Sequence, residues 1–209
     1  MSYGDYWETY PIEKGDIWTL GESRISVCDI TEYFPRYMLD ADMIYCDPPW
    51  DLSKVNFFNI KSGRECMNKF DEFFIPLFTH IEKIGAKVCY LETGNKNLRL
   101  FVEQLSRIYP IVQVWDILYY KKNPCHLVRG GYSVSEYDFS GMDDEVTPWK
   151  TIEYENPYKV ADFCTGRGLT ALAALMNGKV FLGTELNKRK LAILIHKSKK
   201  IGNGFQKEL

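Results

Sequence analysis

The sequence lacks an excess of charge of either sign, since 26 Lys and Arg residues stand against 28 Asp and Glu residues, for a formal net charge of −2. Overall charge therefore does not attract nucleic acid, and any such binding requires a local basic surface or a partner. No apolar run approaches the roughly 20 residues of a membrane-spanning helix. The first residues also lack the basic and apolar regions of a signal peptide. We expect a cytoplasmic protein with no membrane contact.

Paired cysteines and repeats are also missing. The six cysteines form no C-x-x-C pair, and together with three histidines they show no zinc-binding spacing. Reduced, mostly buried thiols are expected, with no metal site. There is no internal repeat and no low-complexity tract. With 45% hydrophobic and 15% aromatic residues, the chain predicts one domain that spans residues 1–209.

Apolar strand-like runs alternate with helix-like segments through most of the chain. This alternation predicts an α/β fold with a doubly wound, mostly parallel sheet, whose ligands bind beyond the carboxyl ends of the strands. The predicted strands lie in 16–30 (broken at Gly21), 43–46, 86–93, 111–120, 159–163 and 179–186, and the predicted helices in 66–85, 95–110, 168–178 and 187–202. Residues 51–64 are interpreted as a mobile loop, and Cys125 to Lys150 as a long loop or a short target-recognition insertion.

The first motif is the corner Asp47-Pro48-Pro49-Trp50, which ends the apolar run from Met43 to Cys46. The prolines fix φ and carry no N–H donor, so the corner presents hydrogen-bond acceptors at fixed positions. Asp-Pro-Pro is also an ordinary turn signal, and the motif alone does not decide between the two.

The second motif is a glycine turn between two predicted strands. Asp162 ends one strand, Gly166 and Gly168 form the turn, and Glu185 ends the next strand. Glycines allow a ligand close to the backbone, and an acid about 20 residues on can reach ribose hydroxyls. Asp162 would repel a pyrophosphate but attract an ammonium group, which favours S-adenosylmethionine over a dinucleotide. An ordinary α/β crossover remains the alternative.

Taken together, the two motifs resemble those of the amino-methyltransferases, which methylate exocyclic amines of nucleobases with S-adenosylmethionine. The corner resembles the family's catalytic motif, and the turn with its downstream acid resembles the cofactor motif. Their order in the chain looks like that of the β class. The resemblance covers roughly residues 17–200 and implies a class I, Rossmann-like methyltransferase fold. It also implies a prokaryotic or phage-encoded protein.

The resemblance implies specific roles for residues of this chain. The catalytic residues are Asp47, Pro48, Pro49 and Trp50. The residues implied to bind the cofactor are Asp29, Ile30, Asp162, Phe163, Cys164, Thr165, Gly166, Gly168, Leu169, Thr170, Glu185, Leu186 and Asn187. Asp29 and Ile30 enter through "CDI", which resembles the adenine-holding segment of the messenger-RNA adenosine N6-methyltransferases; the alternative is a plain turn.

Adenine N6 is a poor nucleophile because its lone pair is delocalised into the ring. The lone pair becomes localised on the nitrogen when both N–H groups donate hydrogen bonds to fixed acceptors. Asp47 and the Pro48 carbonyl can accept them, while Trp50 offers a stacking face for a flipped base. The expected partner is double-stranded DNA, with RNA adenosine, cytosine N4 or an inactive nucleic-acid-binding subunit as alternatives. A homodimer or partner subunit is also considered, because little chain remains for target recognition. The candidate substrate-binding residues are Lys54, Phe57, Lys61, Arg64, Lys121, Lys122 and Arg129.

Overall fold

The computed structural model describes residues 6–202 and 204–208. The strands in this part of the chain are β1 (Ile17–Leu20), β2 (Ser23–Val27), β3 (Met43–Cys46), β4 (Val88–Thr93), β5 (Ile111–Tyr119), β6 (Asn123–Gly131), β7 (Lys159–Asp162), β8 (Val180–Glu185) and β9 (Gln206–Lys207). They form one sheet in the order β5-β6-β4-β3-β7-β8-β2-β1-β9.

The five central strands, from β4 to β2 in that order, are parallel. The flanking strands are antiparallel: β5 and β6 form a hairpin beside β4, while β1 and β9 extend the other edge. The carboxyl ends of all five parallel strands therefore lie along one edge of the sheet. This arrangement confirms the predicted doubly wound α/β architecture.

Helices cover both faces of the sheet. They are α1 (Tyr6–Thr9), α2 (Leu52–Lys61), α3 (Asp71–Ile84), α4 (Leu98–Ile108), α5 (Thr147–Glu155), α6 (Leu169–Met176) and α7 (Lys188–Ser198). Along β3, Met43 and Tyr45 join the hydrophobic cluster that contains α6 and α7, whereas Ile44 and Cys46 join the cluster that contains α3 and α4. Burial on both faces explains why this strand reads as one continuous apolar run. None of the described helices has the length and apolar character required to cross a membrane.

Two predictions of irregular structure need correction. The expected mobile loop at 51–64 contains α2, which begins where the Asp51 side chain accepts a hydrogen bond from the Lys54 amide over 3.0 Å. Only Val55 and Asn59 of α2 are buried, so the helix has no clear apolar stripe to reveal it. The expected loop from Cys125 instead continues β6 to Gly131, and Thr147 begins α5. Only residues 132–146 remain irregular between these elements.

Candidate active site

A carboxylate stands at or beside the carboxyl end of each of the five parallel strands. In sheet order from β4 to β2, these residues are Glu92, Asp47, Asp162, Glu185 and Asp29. Four of them were predicted site residues, and the topology brings those four to one edge as expected. Glu92 was not predicted.

The Asp47–Trp50 corner is held by side-chain contacts. The Trp50 indole N–H donates to Asp47 Oδ1 over 2.9 Å, and Asn97 Nδ2 donates to the Trp50 carbonyl over 2.7 Å. The indole also meets the Tyr119 ring at a centroid distance of 5.0 Å. A Cβ at Gly94 would lie 2.8 Å from the indole, so this glycine leaves room for the ring. Trp50 therefore orients the Asp47 carboxylate, a role that the sequence did not indicate.

The electrostatics of the corner depend on its acidic surroundings. Asp47 still reaches solvent, but the surrounding protein desolvates its carboxylate and raises the Asp47 pKa to about 6. The Trp50 hydrogen bond opposes this rise, and the nearby negative charge of Asp144 adds to it. Asp47 is consequently ionised at neutral pH and protonated in mild acid.

The glycine turn follows β7 and requires glycine at Gly168. This residue has a φ of +85°, and a Cβ there would lie 2.3 Å from Leu194 on α7. Asp162, which is 2% exposed, accepts a hydrogen bond from the Cys164 amide over 2.9 Å. Burial raises the Asp162 pKa to about 7, with the amide contact opposing the shift. The turn thus surrounds a buried acid with closely packed backbone.

Glu185 is held by the backbone on both sides. Its Oε2 accepts from the Gly166 amide over 2.7 Å, and its Oε1 accepts from the Asn187 amide over 2.8 Å. Each carboxylate oxygen has a further lone pair for an added donor. Burial raises the Glu185 pKa. The glycine turn and the end of β8 are therefore tied together through one carboxylate.

Several residues that were predicted to bind the cofactor are buried and support the walls of the site. Phe163, Thr165 and Thr170 are buried, and the Thr165 amide donates to the Thr184 carbonyl over 2.9 Å. Ile30 is buried among α3 side chains, with its carbonyl 2.7 Å from His80 Nε2. Cys164 and Leu169 are half-buried in the turn.

A cleft of about 460 Å³ opens beside the carboxyl ends of β2 and β8. Its lining includes Val27, Asp29, Lys61, Arg64, Leu186 and Asn187. Asp29 Oδ2 forms an ion pair with Arg64 over 2.6 Å, and Asp29 Oδ1 accepts from the Thr31 amide and hydroxyl. Arg64 also pairs with Glu32 over 2.6 Å. Arg64, predicted to contact substrate, thus lies in the wall of the cleft and is paired with acids.

Arg129 also requires correction as a predicted substrate contact. It is 2% exposed and pairs with Glu155 on α5 over 2.9 Å. Its Nε also donates to the Tyr90 hydroxyl over 3.1 Å, and its Nη1 to the Ser133 carbonyl over 2.6 Å. These contacts join β6, β4 and α5 inside the fold. A guanidinium that is buried and held by these contacts has almost no surface to offer a polynucleotide.

The other predicted substrate residues lie in two exposed segments, α2 and the turn between β5 and β6. Lys54, Phe57 and Lys61 belong to α2, which starts two residues after Trp50. Lys121 and Lys122 are exposed in the turn between β5 and β6. In that turn Tyr120 and Lys121 have φ values of 50° and 60°, left-handed conformations that are uncommon for such side chains. The strained turn projects an exposed Tyr120 next to Tyr119, and Tyr119 contacts Trp50.

Comparison with known proteins gives matches by structure alone. No family model matches the sequence, and no curated protein matches it. Among solved structures, TTHA0409 from Thermus thermophilus, described as a candidate DNA modification methylase, has a TM-score of 0.60 at 14% identity, covering 88% of this chain and 97% of that chain. M1.HpyAVI in complex with SAM gives 0.53 at 13% identity, with 85% and 97% covered.

The PvuII DNA methyltransferase, which is cytosine-N4-specific, has a TM-score of 0.54 at 12% identity and covers 91% of this chain and 94% of that chain. Likeness at such identities establishes the fold. The chain has the class I, Rossmann-like methyltransferase fold predicted from its sequence.

Proposed function

We propose that this protein transfers a methyl group from S-adenosylmethionine to the N6 amine of adenine in DNA. The observation that carries the proposal is the adjacency of the two motifs. Strands β3 and β7 pair directly, with Met43 beside Val160 and Ile44 beside Ala161. The catalytic corner and the glycine turn therefore leave the sheet side by side, as transfer between two bound molecules requires.

The residues at the ends of β7, β8 and β2 fit S-adenosylmethionine chemically. Glu185 would accept from ribose hydroxyls, Asp162 would lie near the ammonium group, and Asp29 would accept from the adenine amine. Bound there, the cofactor would supply an electrophilic methyl group. Both TTHA0409 and M1.HpyAVI have been solved in complex with S-adenosylmethionine, which supports this choice of cofactor.

Asp47 and the Pro48 carbonyl would accept the two N–H bonds of the target amine. Asp47 Oδ1 already accepts from Trp50, so Oδ2 is the oxygen left for the amine. The positive charge that develops on the nitrogen would then lie beside an ionised carboxylate. Trp50 holds that carboxylate in place and offers its half-buried indole to the base.

The surface around the corner suits a polynucleotide backbone. Lys54 and Lys61 lie on α2, which follows Trp50 in the chain, and Lys121 and Lys122 lie in the turn after Tyr119, which contacts Trp50. Lysines placed in this way would bind phosphates near a flipped base. The irregular segment 132–146 is short for sequence recognition, so a second copy of the chain or a partner subunit would complete it.

Cytosine N4 is the second candidate, because the PvuII enzyme shares the fold and is cytosine-N4-specific. The corner chemistry would be the same, since both targets are exocyclic amines. RNA adenosine is a third substrate that the test should include.

The test incubates purified protein and labelled S-adenosylmethionine with DNA and with RNA, followed by mass spectrometry of the nucleosides. N6-methyl-2′-deoxyadenosine from DNA is expected, and label on cytosine would assign the second candidate instead. Asp47→Asn should lower transfer by about 100-fold or more, while calorimetry shows unchanged cofactor binding. Absence of transfer to either polymer, with normal cofactor binding, would refute a catalytic role.

A further inference from the structure

Glu92 is the strand-end carboxyl to which the proposed function gives no role. Cys46 on β3 pairs with Leu91 on β4, so the next residues, Asp47 and Glu92, lie beside each other. Because side chains alternate along a strand, Glu92 points to the same face as Tyr45 and Tyr90. Glu92 therefore stands next to the catalytic corner.

The environment of Glu92 is unusual for an acid. It is 2% exposed, one oxygen accepts a hydrogen bond from the Tyr45 hydroxyl, and Oε2 has no hydrogen-bond partner among the described residues. An ionised carboxylate with a bare, buried oxygen costs more than a neutral acid, whose carbonyl oxygen accepts from Tyr45 and whose hydroxyl on Oε2 leaves only an uncharged group unpaired.

The charged groups around Glu92 act in the same direction. Burial has the largest effect and holds the Glu92 pKa well above its usual value, and the negative charges of neighbouring acids add to the rise, while the hydrogen bond from Tyr45 opposes it. The titratable groups that face it are Asp47 and Tyr45 from β3, Asp162 from β7, Cys125 from β6 and Asp144 from segment 132–146.

We infer that Glu92 is a positioning residue that retains the single proton of an Asp47–Glu92 carboxyl pair, and so leaves Asp47 ionised to accept the target amine. Two adjacent carboxylates do not both ionise readily, because each negative charge disfavours the other. Asp47 reaches solvent and accepts from the Trp50 indole, so the negative charge belongs on Asp47. The role in catalysis rests on the proposed function, but the location of the proton does not.

The first experiment measures stability against pH for the wild type and for Glu92→Gln, which is neutral and of similar shape. The unfolded chain releases the Glu92 proton near pH 4.3, roughly the ordinary glutamate value. The folded protein keeps it, so stability falls as pH rises from there. Over the pH range in which the folded protein keeps this proton and the unfolded chain does not, the unfolding constant of the wild type should rise about tenfold more per pH unit than that of the variant. Parallel curves would show an ionised Glu92 and overturn the inference.

Infrared spectroscopy gives a second reading that does not depend on the fold of Glu92→Gln. In an Asp162→Asn background, which removes the neighbouring acid whose pKa is raised to about 7, the carbonyl band of a protonated carboxylic acid should persist at pH 7. Its titration should move to lower pH when Asp47→Asn is added, because a neighbouring negative charge is lost. A midpoint that does not move would refute the pairing with Asp47.

Methyl transfer separates this inference from the proposed function. Methyl-transfer rates are measured against pH for both proteins. The fall in rate at low pH should occur at the same pH in Glu92→Gln as in the wild type, since a neutral amide replaces a neutral acid. A fall displaced to lower pH would mean that Glu92 was charged, and would overturn the inference. If no transfer occurs in any variant, the proposed function fails, and the stability and infrared measurements still decide the protonation of Glu92.

Discussion

Arg129→Met tests whether the Arg129 guanidinium stabilises the fold or binds the substrate. The substitution preserves much of the side-chain volume but removes the cation opposite Glu155, whose carboxylate lies 2.9 Å away. It also removes the donors to the Ser133 carbonyl and to Gln113. Breaking a buried pair by removing one partner costs about 3–5 kcal/mol. We take about 3 kcal/mol, because Glu155 is partly exposed and keeps its hydrogen bond from Tyr90.

Urea unfolding followed by tryptophan fluorescence would measure this loss. With an m value of about 2 kcal/mol/M, the midpoint should fall by roughly 1.5 M. Lys122→Met is the matched control, since Lys122 is exposed at the turn of the same hairpin. It should change stability by less than about 0.5 kcal/mol and weaken DNA binding. If Arg129→Met instead kept its stability and lost DNA affinity, the structural assignment would be wrong.

Three further predictions concern the site. Because desolvation raises the Asp47 pKa to about 6, and the ionised form is the acceptor, single-turnover transfer should fall as pH drops through 6; a flat profile down to pH 5 would contradict this. Gly168→Ala should abolish cofactor binding measured by calorimetry, since its Cβ would lie 2.3 Å from Leu194, whereas Gly178→Ala, which meets nothing within 4 Å, should retain it. Lys121→Ala should reduce the salt dependence of DNA affinity by about one phosphate contact, and an unchanged slope would remove Lys121 from the interface.

The central strands and their motifs were predictable because parallel strands are buried on both faces. Their apolar runs are continuous, and each run stops at an acid or a turn. Asp47, Asp162 and Glu185 are recognisable in the sequence for this reason, and because the carboxyl ends of parallel strands meet at one edge of the sheet, the three acids are expected to lie together. The three acids are far apart in the sequence. Their neighbourhood could still be predicted, because alternating strands and helices indicate a parallel sheet in which all strand ends share one edge.

Elements without a periodic pattern were harder to predict. Helix α2 exposes Phe57 and Ile60 and buries Asn59, whose Nδ2 donates to the Glu65 carbonyl over 3.2 Å. Local capping and side-chain contacts stabilise this helix more than an apolar face does, and Asp51 was the one available signal. The prediction that Arg129 binds substrate has a related cause. Arg129 lies in a segment rich in polar residues, and only the pairing of β6 with β4 and β5 shows that it is buried.

Glu92 is an example of a site residue that can be recognised only from the three-dimensional fold. In the sequence it is an acid after an apolar run, as Asp47 is, and nothing indicates that the two become neighbours. The register between β3 and β4 brings them together, and burial then assigns the proton to Glu92 and the charge to Asp47. On the proposed function, a positive charge moves along the sheet edge from the Asp162 side to the Asp47 side during transfer. The bound cation would favour the ionised form of Asp162, so carboxylates on both sides would stabilise the charge along its path, and a neutral Glu92 keeps Asp47 available at the end of that path.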